Sequence, residues 1–381
     1  MKKIFLITCL ACCTVGTLIS CDNETDKPAI ENIDAADLDY TADYAASWAN
    51  YSRNVAALLR SDASRLAAEW TGGFAQRFKS GDFSGSHNGS IQQILDGCID
   101  IANEVGTAKI GEPFDYWQEG KQTTAVYAVE SWYSWHSRDD YANNIKSIAQ
   151  SLLGQRFDGR LTAESSREAA PNSLLNYCAA LEPTATKTLW ESVVAASDAI
   201  LAIPQPFRNN IGSSETVAAM EACSTLTEHL EAMKAVIAAH DDEAGMEAVV
   251  AQYVDGVVLP TYAELARRNS QLYDAVAALG NNPSNAAFAS ACEAWLAARE
   301  PWETSEAFLF GPVDELGLDP NMDSWPLDQD AIVKILTSGD FDQLQWADDD
   351  DDDAIEAAQS LRGFHTLEFL LFKNGSPRTI H

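Results

Sequence analysis

An all-α fold of two packed helical bundles is predicted by three features of the 381-residue sequence. Apolar residues recur at steps of three and four through most of the chain beyond residue 38. Alternating strand patterns are absent. Clusters of Gly, Pro, Asn and Asp interrupt the periodic runs at intervals that suit helices.

The elements follow in chain order. The opening MKKIFLITCLACCTVGTLISCDNETDK places Lys2 and Lys3 before an apolar run too short for a comfortable membrane span, and Leu18-Ile19-Ser20 lead into Cys21. This is the pattern of a bacterial lipoprotein signal over residues 1–20, with Cys21 as the lipid attachment point. An ordinary signal peptide with incidental cysteines is the other reading. No later segment reaches the roughly 20 apolar residues that a spanning helix needs. The expected location is therefore the bacterial cell envelope, lipid-anchored at the outer membrane or on the periplasmic face. Residues 21–37 are polar and acidic and read as a flexible tether.

Helical stripes then run through Tyr44 to Trp70, Ile91 to Val105, Leu174 to Ile203, Val217 to Ala239, Val258 to Leu279, Ala286 to Phe310 and Ile355 to Phe372. Each places its apolar side chains on one face, as a helix buried on one side requires. Breaks fall at 81–90, near 156, and at 203–214, 280–285 and 311–328. At roughly 100 to 200 residues per domain, the length past the leader suggests two domains, expected at 38–240 and 241–381. The first long helix of each half, from about Tyr40 and about Tyr253, carries a similar Tyr and Leu stripe, which hints at an internal duplication.

Composition narrows the function. With 57 acidic against 25 basic residues the formal net charge is −32. Such a surface repels nucleic-acid phosphates and concentrates cations, so nucleic acid is not an expected partner. Cys98, Cys178, Cys223 and Cys292 are widely spaced, form no C-x-x-C pair and do not read as a zinc site. Either a disulfide or buried free thiols fits that spacing. The acidic run Asp348 to Asp353 reads as a solvated loop, with Asp353 and Glu356 capping the helix that follows.

That last helix contains SLRGFHTLEFLLF, in which His365 and Glu368 share a face at i, i+3. The spacing fits an internally hydrogen-bonded histidine or half of a metal site. A second pair, Glu303 and Glu306, lies in AAREPWETSEAFLFGP, with Arg299 one turn before Glu303. Helices packed about 8–10 Å apart let facing Glu and His side chains hold one ion, as in carboxylate metal sites of ferritin-like bundles. His365, Glu368, Glu306 and Glu303 are the candidate ligands, with Arg299 neutralising or orienting a carboxylate. The donor mix suits iron, zinc or manganese better than calcium. The other histidines, His87, His136, His229, His240 and His381, stand singly and are expected to be exposed, with His136 set apart by its place beside Ser134.

Three segments together resemble the imelysin-like family. Its G-x-H-x-x-E hallmark is matched by Gly363, His365 and Glu368, and its R-x-x-[WY]-E-x-x-E segment by Arg299, Trp302, Glu303 and Glu306. The stretch VESWYSWHSRDDYANNI is similar to the E-x-x-x-S-x-x-x-x-D-[FY]-x-x-N segment of the family's other half through Glu130, Ser134, Asp140, Tyr141 and Asn144. NMDSWPLD also belongs to the resemblance. In most relatives the G-x-H-x-x-E half comes first; here the order is reversed, which a circular permutation explains when the old termini lie close. The resemblance implies a two-bundle fold with the site near the junction, where Glu130, Ser134 and Asp140 approach the ion from the other half. It implies exported or lipid-anchored bacterial proteins linked to iron uptake, and the family's name comes from a member described as a metallopeptidase.

The expected function is capture of iron or a small iron complex, with iron the favoured metal and zinc the second choice, for delivery to a membrane permease. A metallopeptidase is the alternative, although no H-E-x-x-H or H-x-x-E-H is present. A third reading is a helical interaction module whose buried polar network specifies packing and binds no metal.

Overall fold

The structure is a computed structural model and describes residues 39–131, 133–347 and 351–380. The expected leader, Cys21 and the tether at 21–37 lie outside the described residues. The principal helices are α1 (Ala45–Glu69), α2 (His87–Glu104), α3 (Ser137–Leu153), α4 (Pro183–Ala202), α5 (Ser214–Ala238), α6 (Glu243–Tyr253), α7 (Leu259–Asn281), α8 (Asn285–Glu303), α9 (Leu318–Asp323), α10 (Gln329–Ser338) and α11 (Gly363–Leu371). Among the described residues, strand structure is limited to Phe372–Lys373 paired antiparallel with Ser376–Pro377. The all-α prediction is met.

Two groups of helices share the core. In one, α1 lies along α7, α7 along α8, and α11 packs on both α1 and α8. In the other, α4 pairs with α5, α5 with α2, and α2 with α3 and α6. Trp48, Trp70, Trp295 and Trp302 are fully buried, and burying one large apolar side chain contributes roughly 1.5–3 kcal/mol. Helix α1 therefore packs with helices from beyond residue 240, across the expected division of the chain. Its first turns and the residues just before them are held there: Trp48 Nε1 donates to Leu370 O at 2.9 Å, Tyr51 Oη to Leu361 O at 2.8 Å, and Lys373 Nζ lies 2.8 Å from Asp39 Oδ1. The similar stripes of α1 and α7 belong to facing partners of one core, and a shared interface is enough to explain them.

The groups meet where α3 packs on α8 and where the 3-10 turn Glu306–Phe308 presses against α2 and α3. Gly97 of α2 permits that approach, because a Cβ there would collide with the Ala307 carbonyl oxygen.

Several periodic runs are broken more finely than their spacing predicts. Leu174 to Ile203 divides at Pro183, which opens α4 at a position where its missing N–H costs no hydrogen bond. The run Ile355 to Phe372 divides into Asp352–Gln359 and α11. Asp351 caps the first of these by accepting from the Ala354 N–H, and α11 begins after Arg362 with no side-chain cap, so neither Asp353 nor Glu356 caps the helix carrying His365. Helix α8 ends at Glu303, which leaves Glu306 on the following 3-10 turn. Periodicity reports which face is buried and is insensitive to a short turn that keeps that face inward.

Cys98, Cys178, Cys223 and Cys292 are buried free thiols, and burial pushes the Cys98 thiol up to about 12. Among the described residues, no helix is long and apolar enough to cross a membrane.

Candidate metal centre

Arg299 stands in the last turns of α8 and is 1% exposed. Its Nη2 lies 2.7 Å from Glu130 Oε1 and 2.5 Å from Glu303 Oε1, one helical turn on; Nη1 donates to Asp323 Oδ1; Nε faces Asp140 Oδ2 at 3.5 Å. The guanidinium carbon sits 5.4 Å from the centre of the Phe364 ring. A planar fork with five donors suits such a ring of carboxylates. Trp302 adds a hydrogen bond of 2.6 Å from Nε1 to Asp323 Oδ2, so α8 holds Asp323 by two side chains.

Helix α11 brings the imidazole from the other side. It opens at Gly363, whose φ of +90° is unfavourable for any other residue, and a Cβ there would stand 2.6 Å from Met322 O. This close approach seats the start of α11 on the end of α9 and so sets His365 beside Asp323. His365 Nε2 is 3.2 Å from Glu130 Oε1 and 3.1 Å from Asp323 Oδ1, while Nδ1 is 3.1 Å from Glu368 Oε2. The ring is fully buried, with the Trp325 ring edge-on at 5.0 Å.

The segment ahead of α3 closes the site. Ser134 gives both its N–H (2.8 Å) and its hydroxyl (2.7 Å) to Glu368 Oε1, and Ser131 Oγ donates to Asp140 Oδ2 at 2.6 Å. Ser131 and Trp135 hold left-handed backbone, at φ +53° and +62°. Such strain persists where surrounding contacts demand it; here the turn aims both serines at carboxylates. From α3 itself, Asn144 Nδ2 donates to Glu303 Oε2 at 2.5 Å.

Lys109 supplies a second permanent positive charge. It ends the π-helical turn Val105–Lys109, and its Nζ lies 3.1 Å from Glu130 Oε2 and 3.9 Å from Glu104 Oε1.

Acidic groups outnumber these cations, and their acidities divide accordingly. Burial pushes Glu130 up, but Lys109, the His365 hydrogen bond and Arg299 outweigh it and leave its carboxyl lowered to about 2. Asp323 is likewise carried well below its usual range, because Arg299 and His365 overcome the cost of burial. Glu303 goes the other way: burial raises it to about 8 despite the pull of Arg299. Glu306 is raised well above its ordinary value by burial, with Glu303 adding to the rise. Asp319, on α9 and exposed to solvent, is raised by the protein packed around it and by the Asp323 carboxylate. His365 is raised: the carboxylates of Asp323 and Glu130 outweigh both burial and the repulsion of Arg299. The imidazole is held as its cation, and some of the acids are held neutral for want of positive charge.

Two sets of three donor atoms lie within 4.8 Å of one another: Glu130, Asp323 and His365, and Glu303, Glu306 and Asp323. Asp323 belongs to both. Asn144 Oδ1 is a buried oxygen with no hydrogen-bond donor, whereas Glu303 Oε1 already faces the Arg299 guanidinium at 2.5 Å; an unpaired oxygen beside a buried, acid-rich cluster is what a cation would complete. One imidazole with several carboxylates fits a transition-metal ion of the iron, manganese or zinc type.

The side chains singled out in the sequence are thus largely gathered at one place, in roles that differ in part. His365, Glu130, Arg299, Glu303, Asp140, Ser134 and Glu368 form one network, and Glu306 joins it through Asp323. His365 and Glu368 do not converge side by side on a shared point; Glu368 backs the far edge of the imidazole. Glu306 approaches from a turn outside α8, not from the same helix face as Glu303. Of the remaining histidines, His240 is exposed as expected, whereas His87 is buried, with Nδ1 2.5 Å from Glu243 Oε1 and Nε2 2.9 Å from Lys79 O. His136 faces Asp140 Oδ1 at 3.7 Å, and His381 lies outside the described residues.

Asp323 and Lys109 escaped the spacing argument. Asp323 lies within NMDSWPLD, whose resemblance to the family was the available signal. Lys109 offers no spacing to detect, since it reaches the site through a π-helical turn.

The chain is similar to known proteins over most of its length. Residues 27–233 and 258–380 match the imelysin family. The crystal structure of an imelysin peptidase from Bacteroides ovatus superposes with a TM-score of 0.87 at 50% identity, covering 91% of this chain and 100% of that one. Iron-regulated protein A of Synechococcus elongatus is 34% identical over 125 residues, 33% of this chain and 31% of that protein. The match therefore spans about a third of the curated relative's length.

Proposed function

The chain belongs to the imelysin family, and on that premise we propose that it is a metal-capture protein of the bacterial cell envelope, binding iron or a small iron complex at the centre built around Asp323. Zinc is the second candidate. The observation that carries the reading is the pair of three-donor sets sharing Asp323 in a site where acids exceed cations and Glu303 and Glu306 are raised by burial. A bound cation removes that imbalance. In this reading His365, Glu130 and Asp323 bind the ion, Glu303 and Glu306 extend the site, Glu368 orients the imidazole through Nδ1, and Ser134 orients Glu368. A metal-ligating histidine whose second nitrogen meets a carboxylate is the usual arrangement. The name of the Synechococcus elongatus relative, iron-regulated protein A, supports iron among the metals this donor set suits. Anchoring through Cys21 and transfer of the ion to a permease complete the proposal.

Metal titration of the purified protein tests it. Wild type is expected to take up Fe²⁺ under anaerobic conditions, or Zn²⁺, at about one ion per chain, and His365→Ala and Asp323→Asn to lose that uptake. Equal, negligible uptake by all three defeats the proposal.

The word peptidase attached to the Bacteroides ovatus structure supports a second reading. Peptide hydrolysis at zinc needs three protein ligands, a coordination position open to water, and a general base. His365 has no solvent exposure, which favours ion binding over turnover of a peptide. Cleavage of an unfolded peptide that a chelator stops and His365→Ala abolishes would reverse this preference.

A further inference from the structure

We propose that Lys109 is a built-in competitor for the metal centre: its ammonium neutralises the acidic cluster in the ion-free protein and is displaced toward the rim when a divalent cation binds. This rests on the metal-capture reading above and adds to it a residue that sets the centre's affinity and exchange.

The two permanently charged cations of the site are held very differently. Arg299 is locked, with four carboxylates around its fork and Phe364 against its face. Lys109 is a point charge on a flexible stem, with one close partner, Glu130 Oε2 at 3.1 Å, and one loose partner, Glu104 Oε1 at 3.9 Å. These partners lie on opposite sides of the boundary with solvent. The Glu130 side chain is 8% exposed and that of Glu104 is 52% exposed. A small rotation of the lysine toward Glu104 moves its charge outward and exchanges one carboxylate for another, so the ammonium remains paired in both positions.

The position it leaves is the one a metal needs. Glu130 belongs to the donor set with Asp323 and His365, and Lys109 occupies its second oxygen. Glu303 and Glu306, from the other donor set, also act on the Lys109 charge. A divalent ion between these carboxylates and an ammonium 3.1 Å from Glu130 Oε2 repel one another strongly in a site of low effective dielectric. Occupancy by one therefore disfavours the other. The π-helical turn Val105–Lys109 gives this lysine its reach; such turns recur at functional sites because the extra residue per turn re-aims a side chain.

The test uses the full chain titrated with Zn²⁺, and with Fe²⁺ under anaerobic conditions, against a competing chelator. Lys109→Met removes the competitor and is expected to bind at least about tenfold tighter than wild type, since one unit charge at this distance is a large effect. Lys109→Arg keeps the charge on a bulkier head that vacates less readily, and is expected to bind no tighter than wild type and to take up metal more slowly. If Lys109→Met binds as wild type does or more weakly, the competitor role is overturned while metal capture stands. Should Lys109→Met not fold, Lys109→Arg decides: tighter binding or unchanged uptake overturns the proposal. Uptake by neither wild type nor Lys109→Met removes this inference together with the reading it rests on.

Discussion

His365 Nδ1 faces Glu368 Oε2 at 3.1 Å, and the other oxygen of that carboxylate takes both donors of Ser134. The i, i+3 pair thus works in series: the serine fixes the carboxylate, the carboxylate fixes the ring, and Nε2 is left to meet Glu130 and Asp323. Removing a group that orients a ligand typically costs roughly 10- to 100-fold in metal affinity. Glu368→Gln is therefore expected to weaken zinc or iron binding by about that factor, whereas His365→Ala abolishes it. Competition titrations on both variants check the order.

Arg299→Met leaves Glu130, Glu303, Asp140 and Asp323 without the charge they surround. Breaking a buried ion pair from one side costs about 3–5 kcal/mol. The variant is expected to unfold at lower denaturant by that amount in chelator, and to recover more stability than wild type does when a divalent metal is added. Equal destabilisation with and without metal would contradict the cation deficit described for the site.

The pH dependence has a definite sign. Glu303 loses its proton near its ordinary value when unfolded but holds it to about 8 when folded, so the folded state binds more protons between those limits and stability falls as pH rises through that window. The raised His365 acts in the same direction: its contribution is complete below its ordinary value and is lost as pH climbs through the folded one. Glu130, lowered to about 2, stabilises above its ordinary value and ceases to do so as pH falls toward 2. The metal-free protein is expected to melt at lower temperature at pH 8 than at pH 5. Added metal should raise the melting temperature more at pH 8, because ligands must be deprotonated to bind. A melting series in chelator and in metal, across that range, measures both.

Gly363→Ala tests how the hallmark segment is seated. A left-handed φ of +90° and a Cβ 2.6 Å from Met322 O predict a loss of about 1–3 kcal/mol and a shift of α11 away from α9. Metal affinity should fall with stability, since His365 and Asp323 sit on opposite sides of that contact. Chemical denaturation paired with metal titration reports the two losses together.

The helices were legible because a face buried in a core must repeat its apolar residues at helical spacing, whatever it packs against. The candidate residues were legible where chemistry and spacing coincide, as with His365 and Glu368, or where a resemblance pointed to them, as with Glu130, Ser134 and Asp140. Spacing failed at turns. It could not show that α8 stops at Glu303, that residues 360–362 separate two short helices, or that Asp351 caps the first of them.

By itself the sequence determined an all-α chain, acidic, with an imidazole and several carboxylates on helices that bury one face. Only the tertiary structure decided which of these atoms meet. Glu130, Arg299, Asp323 and His365 come from four separate segments, and their convergence depends on how α8, α9, α11 and the turn before α3 dock, not on any local pattern. It also decided that Lys109 stands among the acids and that four carboxylates surround Arg299. An unequal number of charges enclosed together is a property of packing in three dimensions, and it is that inequality which shifts the acidities at this centre.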